Sequence, residues 1–207
     1  MKIILFALVA VWLCVAITGV VYLARYENTP GEPYGVYPAS VPAGSQIAAD
    51  HRRATLIFFA HPKCPCTRAS LHELERLMSD LKGRINSYVV FSKPRDAADD
   101  WTETDLYEMA RKIPDVTVVI DRDDRETDLF NAQTSGLALV YGSDGTLRFN
   151  GGLTGSRGHE GDNAGRSTAY DAVYNDNAGG RSPVYGCPIH KKDCQGELLV
   201  TAPSEHQ

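Results

Sequence analysis

The sequence lacks an excess of positive charge, and it contains few cysteines for its length. Its 207 residues include 21 Lys and Arg against 26 Asp and Glu, for a formal net charge of −5. This balance gives no reason to expect a nucleic-acid partner. Five cysteines are too few for a small protein held together by disulfides. The absence of internal repeats and long low-complexity tracts leaves one globular domain with an appendage.

Charged side chains are absent from Ile3 to Leu23. A run of roughly 20 apolar residues spans a bilayer core as a helix of about 30 Å. The run ends without a small-residue cleavage motif, and Tyr22 suits the membrane interface. We therefore favour an uncleaved signal-anchor over residues 1–25 rather than a cleaved signal peptide. Cys14 follows bulky residues and is interpreted as an ordinary membrane-core cysteine, not a lipoprotein cysteine.

A single N-terminal segment of this kind most often exports the chain that follows it. We expect a single pass through the inner (cytoplasmic) membrane, with the domain on the periplasmic or extracytoplasmic side. Residues 26–44 are rich in Pro, Gly, Tyr and Ser, which predicts a partly extended linker that lifts the domain off the membrane. The domain is predicted over 45–178, followed by a cysteine-containing tail over 179–207.

Apolar periodicity predicts the order of helices and strands in the domain. Three strands are predicted at 55–60, 87–91 and 115–121, and helices follow them at 68–81, 101–112 and 125–132. A hairpin is predicted between 137–141 and 146–149, and a last helix at 167–175. Parallel units followed by an antiparallel hairpin predict an α/β fold, with one mixed sheet and helices on both faces.

The segment His61-Pro62-Lys63-Cys64-Pro65-Cys66 joins the first predicted strand to the following helix. Two cysteines one residue apart therefore lie at a helix N-terminus, where unpaired N–H groups, the helix dipole and a nearby lysine favour a thiolate. We interpret Cys64 and Cys66 as the catalytic pair of a thiol–disulfide site, with Cys64 favoured as the exposed attacking thiol. Pro65 restricts the backbone between them, and so small a ring predicts a strained, oxidising disulfide.

Other polar groups are candidates for supporting this site. The loop 154–163 carries Arg157 and His159 between glycines and is either a rim that favours the thiolate or a solvated loop. It lacks the residue order of a phosphate-binding loop. Cys187 and Cys194 are candidates for a local disulfide, and Cys187 alternatively for a regulatory thiol that meets the main pair.

Two other classes of function remain open at this point. Cys64 and Cys66 are soft ligands that suit Cu(I), with His61 or His159 as a further ligand, as in a metallochaperone. A non-catalytic assembly or binding protein is the other alternative. Outside the copper alternative, no cofactor and no metal is expected.

Several segments resemble the thioredoxin-fold superfamily over roughly residues 45–178: Phe58-Phe59-Ala60, Cys64-Pro65-Cys66 and a hairpin ending at Gly151-Gly152. Within it, segments 61–69, 157–165 and 185–188 resemble membrane-anchored bacterial thioredoxin-like proteins of the RedB type. The resemblance implies a thioredoxin-like three-layer fold and protein thiols or disulfides as partners.

The chain departs from thioredoxins in two places. Thioredoxins have two residues between their cysteines, and this chain has one. They also carry a cis-proline before the hairpin, in a loop that holds an extended substrate segment. Here that stretch is Thr134-Ser135-Gly136-Leu137, without proline. Both departures predict a narrower set of partners than that of an ordinary thioredoxin.

Overall fold

The computed structural model describes residues 2–31, 35–49, 52–176 and 179–190. The first helix, α1 (Lys2–Asn28), contains the charge-free run and continues past its predicted end at Arg25. None of its side chains is buried by the protein, and the helix is long and apolar enough to cross a membrane. The rest of the described chain forms a mixed sheet with helices packed on it.

In the described part of the chain, six strands form one sheet in the order β3-β2-β1-β4-β5-β6. Their bounds are β1 Ala54–Ala60, β2 Ile85–Lys93, β3 Val116–Arg122, β4 Leu137–Tyr141, β5 Leu147–Gly152 and β6 Gly180–Arg181. Strands β1, β2 and β3 are parallel, β4 is antiparallel to both β1 and β5, and β6 is parallel to β5. Every residue of β1 and β4 is buried, because both faces of the sheet are covered.

Side chains of β1 alternate between two hydrophobic cores. Leu56 and Phe58 face α2 (Thr67–Asp80), α3 (Asp105–Lys112) and α5 (Ala164–Tyr174). Ile57 and Phe59 face the other core, which Phe130 joins at the end of α4 (Arg125–Leu129). The predicted three-layer α/β architecture is therefore confirmed, with three helices on one face and a short one on the other.

Capping side chains explain why some helices begin at other residues than the sequence predicts. One helix is predicted over 101–112, but the chain forms a 3-10 turn at Asp99–Thr102 and starts α3 afterwards. Thr104 is extended there, and its hydroxyl accepts a hydrogen bond from the Tyr107 N–H. The last helix starts before its predicted residue, because the Asn163 side chain accepts a hydrogen bond from the Arg166 N–H.

Segments on both sides of the predicted domain pack against it. In the predicted linker, the Ala39 carbonyl accepts a hydrogen bond from the Leu147 N–H, and the Pro38 carbonyl accepts one from the Tyr141 hydroxyl. In the predicted tail, β6 extends the sheet and Ile189 is buried in the second core. Both segments therefore contribute to the folded unit. Residues 191–207, which include Cys194, lie outside the described residues.

Candidate thiol site

The predicted cysteine motif forms the turn between β1 and α2. The Cys64 N–H donates to the His61 carbonyl at 3.1 Å, and the Thr67 N–H donates to the Cys64 carbonyl at 3.1 Å. Cys66 is the N-cap residue of α2 and already has helical dihedral angles, φ −67° and ψ −25°. The predicted placement of both cysteines at a helix N-terminus is confirmed.

A third cysteine completes the site. Cys64, Cys66 and Cys187 are all thiols, and hydrogen bonds join each of them to the other two. Cys64 is 0% exposed and Cys66 is 9% exposed, whereas Cys187 is only half-buried. The expectation that Cys64 is the exposed thiol is therefore wrong. The tail segment that contains Cys187 lies against the turn, so the outermost of the three thiols comes from the end of the domain.

The pKa values of Cys64 and Cys66 are shifted in opposite directions. Hydrogen bonds from the side chains of Cys187 and Cys66 lower the pKa of the Cys64 thiol, and the Thr67 hydroxyl adds to this against the effect of burial. The same contacts with Cys187 and Cys64, together with burial, raise the pKa of the Cys66 thiol. Cys64 is therefore the thiolate of the cluster, and Cys66 keeps its proton and donates it to a hydrogen bond.

A chain of hydrogen bonds from the backbone of the turn stabilises the Cys64 anion. The His61 N–H donates to the Ser135 hydroxyl at 2.9 Å, and the hydroxyls of Ser135 and Thr67 lie 2.7 Å apart. Because Thr67 donates to Cys64, its oxygen accepts from Ser135. The hydrogen bonds therefore run in one direction, from the His61 N–H through the two hydroxyls to the Cys64 sulfur. They are buried, and the low dielectric there makes such bonds strong.

The tail is held to the loop that precedes β4, where the sequence has no proline. The Ser135 N–H donates to the Cys187 carbonyl at 2.8 Å, and the Ile189 N–H donates to the Gln133 carbonyl at 2.9 Å. Between them, Thr134 and Pro188 form an isolated antiparallel bridge. No peptide bond in the described ranges is cis. This loop, at which thioredoxins are expected to hold a substrate segment, here pairs with the chain's own tail.

The predicted supporting residues of the turn shape its backbone. His61 is fully buried, its Nδ1 accepts a hydrogen bond from the Lys63 N–H at 3.1 Å, and its ring packs edge-on against Trp101. The Lys63 ammonium lies 4.1 Å from the centre of the Trp101 ring. Lys63 therefore makes a cation–π contact with Trp101. Pro65 is exposed between the two cysteines.

The predicted rim loop meets the site through Arg157. Its guanidinium donates to the Gly186 carbonyl at 2.6 Å and to the Thr29 carbonyl at 3.2 Å, so it joins the residue before Cys187 to the end of α1. His159 is exposed instead, with Nδ1 2.8 Å from the Arg157 carbonyl and Nε2 4.0 Å from the Glu27 carboxylate. The structure therefore places Arg157 at the residue before Cys187, and it places His159 beside α1.

A buried carboxylate, Glu73, contacts the rim loop, and nothing in the sequence indicated it. Glu73 lies on α2, and its side chain is 0% exposed. It pairs with Arg76 at 2.6 Å and with Arg166 at 2.8 Å, and it accepts a hydrogen bond from the Gly161 N–H at 2.7 Å. Glu73 thus ties the rim loop to the helix that carries Cys66. The helical periodicity gave no sign of this burial, since two of the partners, Arg166 and Gly161, come from far along the chain.

The copper alternative needs a histidine at the sulfur atoms. His61 uses Nδ1 for the turn, and His159 faces the end of α1. Within the described ranges, no group of three or more His, Cys, Asp or Glu has the arrangement of a metal site.

Parallel β1, β2 and β3, an antiparallel β4–β5 pair and a cysteine turn after β1 define a thioredoxin-like fold. No protein-family model matches the sequence, and no curated protein matches it significantly. Solved structures do match. A hypothetical protein from Sinorhizobium meliloti is 16% identical with a TM-score of 0.62, and the match covers 78% of this chain and 97% of that one.

An uncharacterized conserved protein from Geobacillus kaustophilus is 19% identical with a TM-score of 0.58, covering 80% of this chain and 92% of that one. A secreted disulfide oxidoreductase from Mycobacterium tuberculosis is 17% identical with a TM-score of 0.39, covering 48% of this chain and 68% of that one. The first two likenesses agree with the fold and leave the activity to be argued from the site.

Proposed function

We propose that the protein is a membrane-anchored thiol–disulfide oxidoreductase of the RedB type that uses Cys64 and Cys66. The observation that carries this proposal is the buried Cys64 sulfur, whose pKa is lowered by hydrogen bonds from neighbouring thiols at a helix N-terminus. Disulfide exchange needs a thiolate and a second thiol close enough to resolve the mixed disulfide. Both lie in this turn. An inert structural cysteine would need none of these donors.

The experiment is disulfide exchange by the full chain in detergent, with a fluorescent disulfide peptide as the reporter. We expect turnover by the natural protein and none by Cys64→Ser. Cys14→Ser is the matched control, because Cys14 lies in the anchor helix, and it should keep full activity. Full activity in Cys64→Ser would overturn the proposal. Thiols that do not react with alkylating agents at neutral pH would favour a non-catalytic assembly protein instead.

The proposal places the domain outside the cytoplasm, with α1 as a single-pass anchor in the inner membrane. The length and apolar character of α1 support anchoring, and a thiol pair that cycles through a disulfide suits an oxidising compartment. A reporter enzyme that is active only outside the cytoplasm, fused after residue 207, tests the orientation. An inactive reporter on an intact fusion would contradict it.

Copper binding stays a prediction of the alternative function. Anaerobic loading with Cu(I) tests it, with Cys64→Ser as the control. A stoichiometric copper signal that this substitution removes would support the alternative. A protein that stays copper-free would count against it.

A further inference from the structure

The three thiols of the site differ in how far a partner can approach them. The Cys64 sulfur is the favoured thiolate but is fully enclosed, and Cys66 is nearly so. Cys187 is the partly exposed member, and it is hydrogen-bonded to both of the others. An external disulfide therefore meets Cys187 first, and Cys64 only through it or after the tail has moved.

The tail is held beside the site from Val184 to Cys187. The Gly31 N–H donates to the Val184 carbonyl at 2.8 Å, the Ser135 N–H to the Cys187 carbonyl, and Arg157 to the Gly186 carbonyl. A Cβ atom at Gly186 would lie only 1.8 Å from the Ser135 carbonyl oxygen. This close approach needs glycine, and it sets the position of the neighbouring Cys187.

We propose that Cys187 is a third redox residue, which receives the external disulfide and passes it to Cys64. The proposal rests on the oxidoreductase function proposed above and extends it. A disulfide between Cys64 and Cys187 closes a long loop, so it avoids the small ring that a Cys64–Cys66 disulfide requires.

The exchange proceeds in two steps. The Cys187 thiol gives its proton to the Cys64 thiolate as its sulfur attacks one sulfur of an external disulfide, whose S–S bond breaks, and a mixed disulfide on Cys187 forms as the first external thiolate leaves. The Cys64 thiolate then attacks the Cys187 sulfur, and the second external thiolate leaves as the Cys64–Cys187 disulfide forms. Two electrons pass from the two cysteines to the external disulfide. The first departing thiolate takes up the proton that Cys187 gave to Cys64, the second leaves as a thiolate, and Cys66 keeps its own proton.

Disulfide mapping by mass spectrometry tests the proposal in the full chain, in detergent, with Cys14 and Cys194 replaced by Ser. After limited oxidation with a small aromatic disulfide we expect a peptide that links Cys64 to Cys187. Adding Cys66→Ser should keep this link. Adding Cys64→Ser in place of Cys66→Ser should leave the mixed disulfide on Cys187. A Cys64 that stays a thiol in Cys66→Ser, or an external group trapped first on Cys66, would overturn the proposal.

Gly186→Ala provides a test that leaves every cysteine in place. The added methyl group must push the tail away from Ser135. We expect faster alkylation of Cys64 and loss of the Cys64–Cys187 link, with a Cys64–Cys66 link in its place. Gly155→Ala in the rim loop is the matched control, since its methyl group has ordinary contacts only. An unchanged Cys64–Cys187 link together with faster Cys64 alkylation would contradict the proposed transfer of the disulfide from Cys187 to Cys64.

The two proposals fail in different ways. If the natural chain exchanges with no disulfide peptide, the oxidoreductase function itself is wrong. If it turns over normally, forms only the Cys64–Cys66 disulfide, and Cys187→Ser keeps its rate, the function stands and the role of Cys187 is wrong.

Discussion

The Cys64 sulfur is an anion-stabilising site built inside the protein from hydrogen-bond donors. Burial alone would oppose the thiolate, because a charge loses its hydration there. Donors from Cys187, Cys66 and Thr67 compensate for this loss and lower the pKa of Cys64. Since Cys66 and Cys187 are themselves thiols, oxidising either one removes a donor. The anion is thus stabilised most strongly when all three sulfurs are reduced.

Thr67→Val should weaken this stabilisation without changing the shape of the side chain. A hydrogen bond to a charged acceptor contributes about 1.5–3 kcal/mol, so we expect a higher pKa for Cys64. The measurement is the rate of Cys64 alkylation against pH in the reduced Gly186→Ala background, where the sulfur is accessible. The profile should move to higher pH. Thr67→Ser keeps the hydroxyl and should leave the profile unchanged; a shift in both variants would contradict the role of the hydroxyl.

The lowered pKa of Cys64 also predicts how the stability of the reduced protein depends on pH. Its folded-state pKa lies below the ordinary thiol value of about 8.5, so the folded protein binds fewer protons than the unfolded chain between the two. The stabilising contribution is complete above about pH 8.5 and is lost as the pH falls through the folded-state value.

We therefore expect the free energy of unfolding of the natural protein, relative to Cys64→Ser, to increase as the pH rises toward about 8.5. Urea denaturation of both proteins in reducing buffer, followed by tryptophan fluorescence, measures this difference. A difference that does not change with pH would contradict the assignment of the thiolate to Cys64.

At the scale of elements, α2 follows the turn that contains both cysteines, and it also holds the rim loop in place. Glu73 pairs there with Arg76 and Arg166, and it accepts the Gly161 N–H. Removing one partner of a buried ion pair leaves the others desolvated, which costs about 3–5 kcal/mol when the pair is enclosed. Since Arg76 is half exposed to solvent, the lower end of that range applies here.

Glu73→Gln should therefore destabilise the reduced protein by about 3 kcal/mol. Urea denaturation measures the change, and hydrogen exchange at Gly161 reports whether the rim loop is released. The exposed Glu75 on the same helix gives the control, because Glu75→Gln should alter stability by less than about 0.5 kcal/mol. Equal effects of the two substitutions would show that Glu73 contributes only a surface charge.

The order of elements could be predicted from the sequence because each apolar pattern is local. The strand at Ala54–Ala60, the turn at Cys64–Cys66 and the hairpin from Leu137 follow from periodicity and turn residues alone. Helix starts were displaced where a cap such as Thr104 outweighed propensity. The sequence left two alternatives for Cys187, a local disulfide or a thiol that meets the main pair. It could not decide between them, because the pairing of Cys187 with Ser135 joins residues distant in sequence and depends on one close glycine contact.

For the whole molecule, α1 and the loop beside the thiol site are directly connected. The Arg157 N–H donates to the Glu27 carbonyl, and its guanidinium lies 5.2 Å from the centre of the Tyr26 ring. At a rise of 1.5 Å per residue, Thr29 lies about 9 Å beyond Leu23, the last residue of the charge-free run. Headgroup regions extend roughly 5–8 Å beyond the hydrocarbon core, so with α1 as the proposed anchor the site would lie next to the membrane surface. A partner with its cysteines close to the bilayer would fit this position.

This position predicts how the reconstituted protein selects its partners. We expect it to react with a disulfide peptide attached to a lipid by a short spacer as fast as with one on a long spacer. Arg157→Gln should remove the side-chain contacts that hold the site near α1, so the short-spacer peptide should become the slower substrate. Stopped-flow fluorescence in vesicles measures both rates. Arg95→Gln removes an exposed arginine that pairs with Asp123, and it should behave as the natural protein does. If the natural protein already reacts more slowly with the short-spacer peptide, its site works away from the membrane and Arg157 only positions the tail.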